Sequence, residues 1–514
     1  MIILKNKLIL LLGLLVLVIS GCTTLPAAPP QAVVNSLPPA ATGVITETSD
    51  RISRDLADDE SAYLLLSRND DALNWRLALA DHATTAIDAQ YFIWQNDETG
   101  HLLFDRLLRA ADRGVSVRLL VDDIWFAAND EVIAAISNHP NFDIKIFNPG
   151  YARHKVSGAL EFLAKFRELN RRMHNKLYIV DNRIAIVGGR NIGNPYFGLS
   201  EKYNFRDLDV MTTGPVVEEI SEAFDDYWNT ELAYPGHLMS DKVSVDDLDA
   251  VRDGVKEYLA KHGTLLTSYP LLPRDWSVEM EQLTRHMKSG EGHFLQDDPV
   301  MTDGEELKLF DMLDILATPA HKELIVVSPY FIPVSGMLEG MSELNDEGVQ
   351  LKVLTASLAS NNHTSAHSHY KKYRRHILDT GAELYEFRHD PSPAISTQAN
   401  VAPVTASFIS LHVKALVGDR QRCFIGSLNL DPRALEINTE NGLYIESPEL
   451  AEELAKIFEA LMLPENAWRV HLDEEEQTLY WTSSKGTVHS QPARSFFQRI
   501  SDFFYRLLPI ESQL

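Results

Sequence analysis

Cysteine is almost absent: there are two in 514 residues, Cys22 and Cys423, too few for a disulfide framework. Positive charge is also scarce. Lysine and arginine total 47 against 73 aspartates and glutamates, a net charge of −26. A general binder of the phosphate backbone needs many cationic contacts, so this deficit argues against a nucleic-acid partner. A local basic pocket stays open. Long apolar runs are missing too. The one sustained stretch, Leu8 to Ile19, has 12 residues, short of the roughly 20 that span a bilayer. No acidic or cysteine cluster with metal-ligand spacing accompanies the candidate chemistry below, so no metal and no other cofactor is expected. What remains is 45% hydrophobic and 23% charged, a globular composition in a chain too long for one core.

The N-terminus reads as a targeting segment. Lys5 and Lys7 precede the apolar run, which ends in Ile19-Ser20-Gly21-Cys22. This resembles a bacterial lipobox, which implies cleavage after residue 21, lipidation of Cys22 and, with Thr23 following, sorting to the outer membrane facing the periplasm. An uncleaved anchor is the alternative. Residues 22–50, rich in proline and alanine up to residue 45, read as a semi-rigid tether.

His174-Asn-Lys176-Leu-Tyr-Ile-Val-Asp181 returns as His412-Val-Lys414-Ala-Leu-Val-Gly-Asp419. Both fit HxKxxxxD, and in a chain of this composition two copies by chance are on the order of a one-in-a-thousand event. Each is followed by a glycine and then an asparagine: Gly188-Gly189-Arg190-Asn191 and Gly426-Ser427-Leu428-Asn429. Histidine and lysine two apart share one face of a strand. The apolar runs on either side of Asp181-Asn182 and Asp419-Arg420 predict two β-hairpins, each ending in glycine.

The copies belong to a larger repeat. Ala86–Ile93 parallels Leu324–Ile332, and Gly114–Leu120 parallels Gly348–Leu354, at nearly constant offset. Helical stretches such as 102–113 and 337–347 separate apolar strands, an α/β pattern with a mainly parallel sheet.

Paired HxKxxxxD motifs, their GGxN and GSxN tails and the half-chain repeat resemble the phospholipase D superfamily over roughly residues 55–465. The flanks Leu169–Lys176, Gly189–Gly193, Tyr370–Arg374 and Asn429–Arg433 are similar to its bacterial cardiolipin synthase branch. The resemblance implies two duplicated α/β lobes, 51–300 and 301–465, packed about a pseudo-twofold axis with one active site at their interface. Residues 466–514 would follow as a tail. It implies phosphatidyl transfer on phospholipids, with cardiolipin formed from phosphatidylglycerol and a second phospholipid at a membrane. A hydrolytic phospholipase D and a secreted phosphodiesterase or nuclease are the alternatives, and the need for an accessory protein is open.

Residue chemistry gives the roles. One neutral imidazole, His174 or His412, attacks phosphorus to form a phosphohistidine while the other protonates the leaving alcohol. Lys176, Lys414, Asn191 and Asn429 stabilise the phosphoryl oxygens. Asp181 and Asp419 complete the motif, although a place past the strand end suits a structural charge better than a proton carrier. The resemblance also implies a carboxylate orienting each histidine. Asp207, 33 residues after His174, and Glu440, 28 after His412, are the candidates.

Arg171 and Arg172 are expected to bind substrate. They close a basic run of Arg153, His154, Lys155, Lys165 and Arg167, which reads either as a lipid-binding surface or as a solvated face. His363, His367 and His369 with Lys371, Lys372, Arg374 and Arg375 form a second run, suited to a headgroup more than to a metal. The stripe Phe496, Ile500, Phe503, Phe504, Leu507, Leu508 predicts an amphipathic helix, either interfacial or packed on the core.

Overall fold

The computed structural model describes residues 24–514 except 125, 127, 154, 245, 301–308, 310–319 and 474. The leader 1–21, Cys22 and His154 therefore lie outside the described residues, as does the side chain of Lys155.

The first lobe contains β1 (Glu60–Leu66), β2 (Ala86–Tyr91), β3 (Ser116–Asp122), β4 (Phe142–Phe147), β5 (Leu177–Val180), β6 (Ile184–Gly188), β7 (Asn204–Arg206), β8 (Asp209–Thr213) and β9 (Ala233–Pro235). After β10 (Lys288–Gln296), the second lobe has β11 (Glu323–Val327), β12 (Gln350–Ala356), β13 (Glu383–Phe387), β14 (Ile409–Leu411), β15 (Ala415–Gly418), β16 (Arg422–Gly426), β17 (Asn441–Glu446) and β18 (Ala467–Leu472).

All of these but β7 and β14 join one continuous sheet. From one wing to the other it runs β4-β3-β2-β5-β6-β8-β1, then β10-β17-β16-β15-β11-β12-β13. The second half repeats the first in reverse order, as a duplication about a twofold axis requires. Within this sheet, among the described residues, β2-β3-β4 and β11-β12-β13 are the parallel parts. The centre is antiparallel, because the β5-β6 and β15-β16 hairpins reverse the chain there. The sheet is thus mixed, where helix-strand alternation alone had pointed to a mainly parallel one.

The two lobes share a core. The helices Val216–Asn229 and Pro448–Met462 bring Ile220, Phe224, Leu454 and Phe458 into one buried cluster, together with Ile179 of β5 and Val417 of β15. Apolar burial of this kind holds the lobes in one relation. Residues 24–43 lie extended on the first lobe, with Leu25 N–H bonded to the Tyr151 carbonyl and Ala40 N–H to that of Asp181. Beyond residue 465, β18 adds to the β13 edge, so the chain's last part extends the sheet before its final helix.

Candidate active site

Each hairpin starts directly after its histidine and lysine. Leu177–Val180 and Ala415–Gly418 are wholly buried strands, so the polar residues just ahead of them fall at the sheet edge. There a short pairing crosses between lobes. β14 pairs in parallel with β7, setting Leu411 opposite Arg206. His412 N–H then bonds the Arg206 carbonyl at 2.9 Å. On the other side Met173 bridges Thr439, and His174 N–H bonds the Thr439 carbonyl at 2.9 Å.

This backbone pairing decides the carboxylates. His174 Nδ1 lies 2.7 Å from Glu440 Oε2, and His412 Nδ1 lies 2.6 Å from Asp207 Oδ2. Both carboxylates named from the sequence are beside a histidine, but each serves the histidine of the opposite lobe. With Nδ1–H donating to a carboxylate, Nε2 is left for a substrate. The aromatic rings of Phe92 at 5.0 Å from His174, and of Phe205 and Tyr196 at 4.5 and 5.4 Å from His412, wall the imidazoles.

The two carboxylates are held differently. Asp207 Oδ1 accepts from Leu208 N–H at 2.8 Å. It sits so close to Gly189 that a Cβ there would come within 2.4 Å of it. In the second lobe the corresponding residue is Ser427, whose hydroxyl donates to Glu440. A glycine makes room in one copy and a serine adds a donor in the other.

Electrostatics separates the pairs. Burial, reinforced by Lys176 and Lys414, holds His174 well below its ordinary value. Burial pulls His412 to about 4, opposed by Asp207. Asp207 is held at about 2: the charges of His412 and Lys414 and the His412 hydrogen bond outweigh its burial. Glu440 goes the other way, pushed well up by burial against Lys176 and Ser427. Burial also lowers both lysines, Lys176 to about 7 and Lys414 to about 8, against the pull of Glu440 and Asp207. Each lysine donates to the carbonyl of its own histidine, at 2.6 Å for Lys414. The crossed contacts His174–Glu440 and His412–Asp207 bring both motifs to one site.

The remaining candidates divide. Asn191 is locked, accepting from Ile93 N–H at 3.0 Å and donating to the Tyr196 hydroxyl at 3.1 Å. Asn429 keeps a buried Oδ1 with no partner among the described residues. Asp181 and Asp419 lie at the far ends of β5 and β15 from the histidines. Asp181 accepts from the N–H groups of Thr84, Thr85 and Ala86, and Asp419 from those of His321, Lys322 and Glu323. They clamp the starts of β2 and β11 and take no part in the site, which corrects their place in the catalytic set.

Arg172 is also corrected: it is buried, bonded to the Asn148 carbonyl at 3.0 Å and beside Asp122, which also accepts from Met173 N–H. It braces the turn before His174 rather than standing on an exposed basic surface. Arg171 is half-buried beside it.

Arg153 pairs with Asp123 and Asp130, and Lys165 with Glu161. In the second run His367 accepts from Arg374, and His369 sits against Glu511 and Lys372. Among the described residues no group of three or more His, Cys, Asp or Glu is gathered to hold a metal ion. Arg433 and Tyr196 are additions. Arg433, in the short helix Pro432–Glu436, lowers His174 and closes a flank already noted in the sequence, whereas Tyr196, in the 3-10 turn Asn194–Tyr196, carries no spacing signal.

A family model described as cardiolipin synthase, PLD-like domain, matches residues 77–228 and 314–462. The chain is 34% identical over 462 residues to cardiolipin synthase C of Escherichia coli, covering 87% of this chain and 94% of that protein. It is 23% identical over 373 residues to a cardiolipin synthase of Clostridium perfringens, covering 72% and 64%. The crystal structure of phosphatidylserine synthase from Haemophilus influenzae superposes with a TM-score of 0.57 at 15% identity, over 91% of this chain and all of that one, a likeness of fold. Two motif-bearing lobes, one composite site and a family match across both halves make one conclusion: the chain belongs to the cardiolipin synthase family of phospholipase D-like enzymes.

Proposed function

We propose that this protein transfers a phosphatidyl group from one phospholipid to the hydroxyl of phosphatidylglycerol, forming cardiolipin through a phosphohistidine. The supporting observation is the crossed pair of histidine–carboxylate dyads, with two lysines, on a chain 34% identical to a cardiolipin synthase.

His174 is the nucleophile in this reading. Burial and the two lysines hold it neutral, and its Nε2 lone pair attacks phosphorus. His412 is the acid: Asp207, ionised beside it, supports the imidazolium that forms when the anionic phosphodiester enters and His412 takes up a proton at Nε2. As the N–P bond forms, the bond from phosphorus to the donor's headgroup oxygen breaks, and that oxygen takes the His412 proton. The acceptor hydroxyl then gives its proton to His412, attacks phosphorus and frees His174. Lys176 and Lys414 are suited to balance the charge on the non-bridging oxygens.

Discharge to a lipid alcohol rather than water needs a dry site with the acceptor held in line, where effective molarities reach about 10⁵ M or more. The aromatic walls of Phe92, Phe205 and Tyr196 fit that demand. The envelope location, with Cys22 lipidated, is part of the same proposal. The test is mass analysis of products from phosphatidylglycerol vesicles, with cell extract added in one arm to supply an accessory protein. Cardiolipin should exceed phosphatidic acid. Phosphatidic acid as sole product in both arms turns the reading into a hydrolase.

The leaving group tests the roles. A nitrophenyl phosphodiester releases its nitrophenolate without needing a proton. With it, His412→Ala should keep much of its rate and accumulate phosphohistidine, while His174→Ala stays inactive. The reverse pattern exchanges the two roles.

A further inference from the structure

The helix Phe496–Arg506 is built inside out. Ser495 caps it, its Oγ accepting from Gln498 N–H at 3.2 Å. Its apolar stripe faces outward: Phe497 is 77% and Phe504 62% exposed, and Phe496, Phe503, Leu507 and Leu508 are exposed as well. The side facing the protein is polar. Asp502, 1% exposed, pairs with Lys371 and accepts from Gln491 Nε2 at 2.8 Å, while Gln498 Nε2 donates to the Leu358 carbonyl at 2.6 Å. These contacts determine which face looks out, so the exposed stripe is not a core face that failed to find its core. Apolar surface gathered in this way marks an interaction site.

Position and charge say what covers it. The segment begins with Arg494 over the Phe408 ring at 3.4 Å. Phe408 stacks on Tyr203, Tyr203 meets Phe205, and Phe205 lies against His412. It ends with the Leu514 carbonyl accepting from Arg433 N–H at 2.8 Å, and Arg433 bonds Asn170. The helix therefore lies along the mouth of the site, from the His412 side to the His174 side. At the Asn170 end, the exposed Leu160, Leu163 and Phe166 add a second apolar patch. The exposed charges of the helix are Arg499 and Arg506, its one acid being buried. On a molecule of net charge −26, that is a cationic, aromatic face.

We propose that this helix lies in the surface of an anionic phospholipid bilayer and presses the mouth of the active site onto it, with Leu160, Leu163 and Phe166 as a second foothold. This rests on the reading that the substrate is a phospholipid. Aromatic and leucine side chains enter the acyl boundary while the arginines stay among anionic headgroups. A lipid headgroup can then reach His174 with little of the lipid leaving the bilayer.

The test uses the full chain. Amide hydrogen exchange is compared with no lipid, with phosphatidylcholine vesicles, and with vesicles containing phosphatidylglycerol. Slowed exchange in 496–508 and 157–168, stronger with the anionic lipid, is expected. That readout is independent of catalysis, so it stands or falls apart from the transferase reading.

The combined variant Phe497→Ser, Phe503→Ser, Phe504→Ser should lose roughly tenfold or more of its turnover on vesicles. It should turn over a short-chain phosphatidylglycerol, dispersed as monomers, at the wild-type rate. No lipid-dependent protection, unchanged vesicle turnover, or equal loss on both substrates overturns the proposal. Protection that grows with protein concentration in the absence of lipid also overturns it, making the face a contact between two copies of the chain.

Discussion

At the scale of single residues, the site is a set of buried charges whose pKa values diverge from their ordinary ones. Lys176 at about 7 and Lys414 at about 8 give up their protons as pH rises. The value of kcat/KM, which reports the free enzyme, should fall on the alkaline side near those values. Arginine keeps its charge across that range, so Lys414→Arg should weaken the limb. A flat profile to pH 9 in the wild type removes the two lysines as charge donors.

The histidines act on stability with the opposite pH sense. His412 folds with a value of about 4, below its ordinary 6.5, and His174 shifts the same way. Between those two pH values the unfolded chain binds more protons, so stability falls as pH falls. Asp207, at about 2, adds a further loss only below its ordinary 3.8. Glu440, pushed up by burial, acts in the opposite sense over the same range, so the test is the difference between proteins: from pH 6.5 to 4 the Tm of His174→Gln should fall less, or rise more, than that of the wild type. Equal changes in the two proteins contradict the assignment. Histidine and lysine at these positions could be named from spacing. Their protonation could not, since burial, set by the whole fold, is the first cause of each shift.

At the scale of elements, the hairpins explain why the motif ends in aspartate. Asp181 has φ 57° and Asp419 φ 53°, the left-handed region that short polar residues tolerate in turns. From there each carboxylate caps three N–H groups of a neighbouring strand. Asp181→Ala should cost about 1–3 kcal/mol through donors left unsatisfied in the interior, read by denaturant unfolding, while kcat of the folded protein stays within a few-fold. Asp419 is more exposed, so Asp419→Ala should cost less. A large loss of kcat with unchanged stability would return these residues to the chemistry. The hairpins were legible because apolar runs, a polar turn and a terminal glycine are local signals. The short strands that pair across the lobes, one just before Asp207 and one just before His412, were not. β7 and β14, three residues each, exist through pairing with one another.

At the scale of the whole molecule, neither lobe holds a complete dyad. Asp207→Asn, in the first lobe, should therefore behave like a loss of His412. With an alkyl leaving group it should cost on the order of 10²–10⁴ in rate, and a nitrophenyl leaving group should restore much of it. Glu440→Gln should follow His174 and show no such recovery. Dependence of Asp207→Asn and Glu440→Gln on leaving group in the same way would mean that the crossing does not divide the roles.

The sequence by itself determined the duplication, the two HxK pairs, the hairpins that carry them, the family and the identity of both orienting carboxylates. The duplication, the HxK pairs and the hairpins are written in short-range spacing or in a repeat, while the family and the two candidate carboxylates follow from the resemblance that those motifs carry. Only the tertiary structure decided which carboxylate faces which histidine, that Arg172 turns inward, and that the aromatic stripe of the last helix turns outward. These depend on which surfaces meet when two lobes bury a shared apolar core. Residues 205 positions apart, such as Asp207 and His412, become neighbours through that burial, and no periodicity along the chain records it.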